Sequence, residues 1–159
     1  MRQTGLRPWR DGWAEQLQGR DCVLCELIGV AENSWGVRVF TGRYVDAYLP
    51  RSGSVLGYTV AVWNGSHVSE PTQLSSEEAA GYWQETIEVG RAVEQAFEHA
   101  KMNYQMLGNS VPHLHTHIVP RPLLDPAPHA PLPWSYLDEG RQDNEKFEAA
   151  AGRLKSALA

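Results

Sequence analysis

The 159 residues are the size of one domain, and at that size folding buries roughly 68–70% of the unfolded surface, so a hydrophobic core needs no help from metal or disulfide. Lys and Arg number 14 against 19 Asp and Glu, a formal charge of −5, which speaks against a protein that coats nucleic acid polymers or anionic membrane. Two cysteines are too few for a disulfide scaffold, and the best apolar run, Tyr58 to Trp63, is too short to span a bilayer, so a soluble cytoplasmic protein is expected.

Residues 1–20 are polar with scattered tryptophans and no period, the pattern of an arm. A short apolar segment, Asp21 to Val30, carries Cys22-Val23-Leu24-Cys25. From Trp35 the period becomes two: Val37 and Val39, a turn at Thr41-Gly42, then Val45, Ala47 and Leu49 alternating with Tyr44, Asp46 and Tyr48, which predicts a hairpin with one polar face. A third strand, Val55 to Trp63, stops at the turn signal Asn64-Gly65. Ser75 and Glu78 are spaced as a capping box, and Trp83, Ile87, Gly90, Val93 and Phe97 recur at helical spacing behind it, predicting one helix to about His99 whose stripe lies on the sheet.

Two strand-like segments follow, Asn103 to Leu107 and His113 to Val119, on either side of Gly108-Asn109-Ser110-Val111-Pro112. Six of the ten prolines then fall between Pro120 and Pro133; proline lacks a ladder donor, so this stretch reads as an extended strap. Phe147, Ala151, Leu154 and Leu158 share one face of a closing helix from about Asp143.

His113-Leu114-His115-Thr116-His117 places three of the six histidines at alternate positions, on one side of a strand. At about 3.3 Å per residue the first and third start roughly 13 Å apart, so the three cannot share one ion. A neutral imidazole is a nucleophile at pH 7, and a second one, protonated, can neutralise a phosphate oxygen or give a proton to a leaving group. Attack on phosphorus suits that pair; a His-x-His pair chelating a catalytic zinc is the rival.

The run from Asn109 to Arg121 resembles the signature of the histidine triad (HIT) superfamily of nucleotide hydrolases and transferases, and the resemblance extends back to Cys22 and Cys25. It implies an α+β fold: an antiparallel sheet of about five strands with one long helix packed on it, in a homodimer. The segments are then an arm (1–20), a HIT-like domain (21–121), and a proline-rich strap with a C-terminal helix (122–159). By resemblance, His115 attacks the α-phosphorus of a dinucleoside polyphosphate or related nucleotide to form a nucleotidyl-histidine, and His117 contacts the transferring phosphate. Gly108, Asn109 and Ser110 supply donors to its oxygens, and Asn103 orients the substrate. Uridylyltransferase relatives carry glutamine at the third triad position, so His117 points to hydrolysis. A nucleoside phosphoramidase is the alternative within the superfamily, and a non-catalytic nucleotide-binding module is the alternative of another functional class.

Two positions depart from the family pattern. Pro50 stands where relatives hold ribose hydroxyls with Asn or Asp, leaving Asp46 or a shifted register to do so, and Gly57-Tyr58 replaces the Gly-His that opens the third strand.

Cys22-x2-Cys25 admits a redox pair, two buried thiols or half a zinc site. Zinc needs two further ligands, and His67 and His113 are the candidates; some histidine triad relatives resemble this, with a structural zinc on the same four residue types. Arg121 could meet a distal phosphate or be a solvated charge. His99 suits the negative end of the helix dipole, Trp83 and Phe97 suit the core, His129 is expected to be exposed, and Tyr44 and Tyr48 are structural or line a base pocket.

Overall fold

The computed structural model describes residues 5–159. Five strands form one antiparallel sheet: β1 (Gly36–Thr41), β2 (Val45–Pro50), β3 (Thr59–Trp63), β4 (Lys101–Gln105) and β5 (His115–Arg121), in the order β1-β2-β3-β5-β4. The expected α+β architecture is observed. Each face carries its own core. Val45, Ala47, Leu49, Ala61 and Ile118 pack against α3 (Ser76–Ala96) and α5 (Asn144–Ala157). Tyr48, Val60, Val62 and Val119 pack on the opposite face, with Leu24 and Leu27 of α2 (Val23–Leu27) and with Leu132 and Leu137 of the strap. Among the described residues no helix is long and apolar enough to cross a membrane.

The capping box at Ser75 is present. The Ser75 hydroxyl accepts from the Glu78 amide and the Glu78 carboxylate accepts from the Ser75 amide, an arrangement of about 1 kcal/mol. The helix ends at Ala96, and Phe97 is already extended. Its buried stripe is Tyr82, Thr86, Val89 and Val93, whereas Trp83 and Ile87 stay 39% and 41% exposed. The two residues expected in the core therefore sit on the outer side of the helix. Phe97 is buried as expected.

All six residues of β2 are buried, so the predicted polar face does not exist. The second layer covers it. Tyr48 donates to the Leu27 carbonyl at 2.7 Å, and the Asp46 carboxylate accepts from the Gly29 amide and Asn64 and pairs with Arg38. Tyr44 lies at the other end of the sheet, stacked on Trp63 and donating to Glu77. Neither tyrosine borders the hollow that holds His115 and His117, and Asp46 is spent on the protein itself.

The arm is structured within the described residues. α1 (Trp13–Leu17) leads through Gly19 to Cys22, which caps α2 by accepting from the Cys25 amide. Gly19 has φ +91°, and a Cβ there would stand 2.8 Å from the His67 ring, so only glycine lets the arm close on that histidine. After β5 the strap runs to α4 (Ser135–Asp138), and Asp143 caps α5 by accepting from the Lys146 amide.

Candidate active site

The second face of the sheet holds a cavity of about 630 Å³. His115 and His117 form its floor, and the Gly108-Asn109-Ser110 turn forms one rim. Leu24, Leu27, Trp35 and Val60 make an apolar wall, and α4 with its cap residue Trp134 closes the remaining side.

The hydrogen bonds of the floor assign its tautomers. The His113 carbonyl can only accept, so the Nδ1 of His115 carries the proton bonded to it and Nε2 keeps a lone pair. That lone pair lies 3.1 Å from the Nε2 of His117, which must then be the protonated nitrogen. The Nδ1 of His117 accepts in turn from the Tyr58 hydroxyl at 2.7 Å. Tyr58 thus performs a positional task at the place where the sequence departs from the family pattern. Trp134 adds an edge contact to His117, with ring centroids 5.0 Å apart.

Burial lowers the pKa of His115, and burial together with the neighbouring His115 takes His117 down to about 3. Both rings are neutral at pH 7 before any anion arrives, so the second imidazole is not the standing cation the sequence suggests. A phosphate seated between them would favour the charged form.

His113 precedes β5, and its ring is turned into a separate cluster with Cys22, Cys25 and His67. The four ligand atoms lie within 4.8 Å of one another. The Nδ1 of His113 is 3.5 Å from the Cys22 sulfur and 3.4 Å from that of Cys25, which is 3.4 Å from the Nδ1 of His67. A tetrahedral ion bound at about 2.0–2.3 Å spaces its ligands roughly 3.3–3.8 Å apart, so the cluster could hold a metal ion with little adjustment. Both rings are oriented for it. Nε2 of His113 donates to the Trp63 carbonyl at 2.7 Å and Nε2 of His67 to that of Leu17 at 3.2 Å, which leaves each Nδ1 lone pair facing the sulfurs. Burial and the adjacent Cys22 thiol push the Cys25 thiol up to about 11; a bound dication would favour the thiolate instead.

Comparison with known proteins agrees with this geometry. The family profile described as "HIT domain" matches residues 37–123, more than half of the chain. The chain belongs to the HIT family. It is 27% identical over 106 residues to the Bacillus subtilis protein hit, covering 64% of this chain and 71% of that one. Among solved structures it resembles a histidine triad protein from Bradyrhizobium japonicum, with a TM-score of 0.68, 21% identity, and coverage of 79% of this chain and 92% of that one. A zinc-bound histidine triad family protein from Mycobacterium smegmatis matches with a TM-score of 0.62, 21% identity, and coverage of 87% and 94%. Family membership places the chain in a superfamily of nucleotide-binding proteins and nucleotide hydrolases.

Two of the candidate substrate-binding residues, Asn103 and Arg121, lie elsewhere. Arg121 is buried, and all five of its N–H groups are used within the chain: two on Asp125, two on the carbonyls of Ala127 and Ala130, and one on the Asn103 side chain at 2.7 Å. It is neither a phosphate ligand nor a solvated charge here but the clasp that folds the strap back. Asn103, bound to that clasp, borders a different hollow along β4 and not the triad cavity.

Outside the matched segment, the Arg10 guanidinium donates to the Ser110 carbonyl and ties the arm to the rim turn. Nothing in the aperiodic arm marked Arg10, and nothing in the strap marked Trp134. Tyr58 alone was visible, as a departure from the pattern.

Proposed function

We propose that this HIT protein cleaves a nucleotide, such as a dinucleoside polyphosphate, at the α-phosphorus through a covalent intermediate on His115. The observation that carries this reading is the 3.1 Å pairing of a lone-pair Nε2 on His115 with a protonated Nε2 on His117, both at the floor of an open cavity. The lone pair of His115 forms the N–P bond as the bond from phosphorus to the leaving group breaks; His117, which takes up a second proton at Nδ1 as the anionic phosphate binds, gives its Nε2 proton to the departing atom and is left neutral. Water then attacks the same phosphorus, the N–P bond breaks, its electron pair returns to His115, and the water's proton restores His117. Amides and the hydroxyl of the Gly108-Asn109-Ser110 turn stabilise the charge on the equatorial oxygens.

The four-residue cluster is assigned to zinc in a structural role. Two thiolates and two imidazoles complete a tetrahedral set, and the ion would steady the backbone of His113, whose carbonyl orients His115. A homodimer is supported by the outer stripe of α3. Trp83 and Ile87 lie exposed on the helix, and the Tyr104 ring of the sheet's edge strand β4 covers Gly90 in the next turn, giving one apolar patch beside an unpaired edge.

The test is intact-mass analysis after mixing with dinucleoside polyphosphates and nucleoside phosphoramidates. A nucleotidyl adduct lost in His115→Asn is expected, and its mass and the released product identify the substrate class. Saturable binding with neither adduct nor product after long incubation would mark a non-catalytic binding module.

A further inference from the structure

The cavity is polarised. At one end stand donors, the imidazole of His117 and the Gly108-Asn109-Ser110 turn, which suit an anion. The apolar wall of Leu24, Leu27 and Trp35 suits a flat, uncharged ring. One group fits neither end. Asp138 is the only acidic side chain bordering the cavity among the described residues, and its carboxylate has no hydrogen bond or ion pair with any of them. A carboxylate cannot face phosphate without repulsion, so it must meet a part of the ligand that donates hydrogen bonds.

The C-terminal segment holds Asp138 firmly there. The Ser54 amide donates to the Tyr136 carbonyl at 2.8 Å and the Ser52 hydroxyl to that of Leu137 at 3.2 Å. Gly53, at φ +81°, lets the chain approach so closely that a Cβ would stand 2.5 Å from the Leu137 carbonyl oxygen. The Gln142 amide donates to the Arg51 carbonyl at 2.8 Å just beyond. These contacts seat α4 over the end of β2, where Pro50 contributes a cavity wall but no side-chain acceptor. Asp138 is one helical turn from Trp134, the residue against His117, so it borders the same cavity as the reacting floor.

We propose that Asp138, from the strap and not from the matched domain, accepts hydrogen bonds from the vicinal hydroxyls of a ribose and thereby selects ribonucleotides. Two carboxylate oxygens match two adjacent O–H donors, and a sugar is the part of a nucleotide that lies between a base on the apolar wall and a phosphate on the imidazoles. This inference rests on the nucleotide reading above.

Calorimetric titration of the full-length protein with adenosine 5′-monophosphate and its 2′,3′-dideoxy analogue tests it without requiring turnover. The unaltered protein is expected to bind the ribose form about tenfold more tightly, from charge-assisted hydrogen bonds at a partly solvated rim, and Asp138→Asn should bring that ratio within twofold. Asp138 is exposed, so the variant is expected to fold as the unaltered protein does, and a thermal melt checks it. Equal affinity for both sugars in the unaltered protein, or an unchanged ratio in the variant, overturns the proposal. So does a variant that keeps the sugar ratio but loses affinity for a lysyl phosphoramidate, which would assign the carboxylate to a cationic leaving group. Binding without sugar discrimination removes only the role of Asp138; no binding of any nucleotide removes the nucleotide reading as well.

Discussion

His113 and His115 are two residues apart, both buried, yet they meet different chemistry. His113 has both nitrogens committed, Nε2 to a carbonyl and Nδ1 to the sulfurs of Cys22 and Cys25. His115 has Nδ1 tied to a backbone carbonyl, while its Nε2, at the floor of the cavity, meets only the Nε2 proton of His117. The residue type is the same and the backbone nearly continuous; what differs is the partner of the second nitrogen. A ring held at one nitrogen is oriented and still reactive, whereas a ring held at both is a strut.

The sharpest way to break this contrast is His115→Asn. It should reduce turnover by roughly a thousandfold or more if the covalent route is obligatory, with a normal melting curve; residual turnover near the unaltered level would take the nucleophile role away from His115. The strut half responds to chelation. Removing metal from the purified protein is expected to lower the melting temperature by about 10 °C, since roughly 1 kcal/mol corresponds to 2–4 °C in a domain of this size. Activity lost at once with an unchanged melt would instead point to a catalytic ion.

Tyr58→Phe probes how the reacting pair is oriented. Without the hydroxyl the Nδ1 of His117 loses its 2.7 Å donor and the ring is free to change tautomer, so kcat should fall about tenfold, the cost of one hydrogen bond to a reacting group. The KM should stay within twofold; a rise in KM at constant kcat would make Tyr58 a substrate contact.

A pH dependence of folding tests whether His117 is neutral in the folded state. His117 has a folded pKa near 3, below its unfolded value of about 6.5. Its contribution is therefore complete above about pH 6.5 and is lost as pH falls from there toward 3, because only the unfolded chain takes up the proton. The slope is at most about 1.4 kcal/mol per pH unit for this group. Denaturant titrations of the unaltered protein and His117→Gln should differ in slope within that window, and parallel lines would show that His117 is protonated in the folded state.

Local patterns were legible where the chemistry is local. The alternation from His113 to His117, the Ser75 cap and the Cys22-x2-Cys25 spacing each report contacts within a few residues, and the sheet, the long helix and the Cys/His cluster stand where they imply. The stripe of Trp83 and Ile87 misled because periodicity states that a helix has an apolar side, not which partner covers it. Asp46 and Tyr48 misled for a related reason. Alternation predicts a wet face only when no second layer exists, and here α2 and the strap provide one.

Arg121, Trp134 and Asp138 were beyond reach because their roles depend on how an aperiodic, proline-rich segment returns to the sheet. That path is set by Arg121 donating to Asp125 and to two carbonyls, and by the close approach of Leu137 to Gly53. What the amino-acid order determined was the periodic elements and the residue types available for chemistry, since both follow from neighbouring residues. Which imidazole is a strut and which is free, and which carboxylate reaches the ligand, was decided only by tertiary structure, because the partners that commit His113 (Trp63 and Cys22 among them) and the contacts that seat Asp138 (Ser52 and Gly53 among them) lie dozens of residues away in the chain.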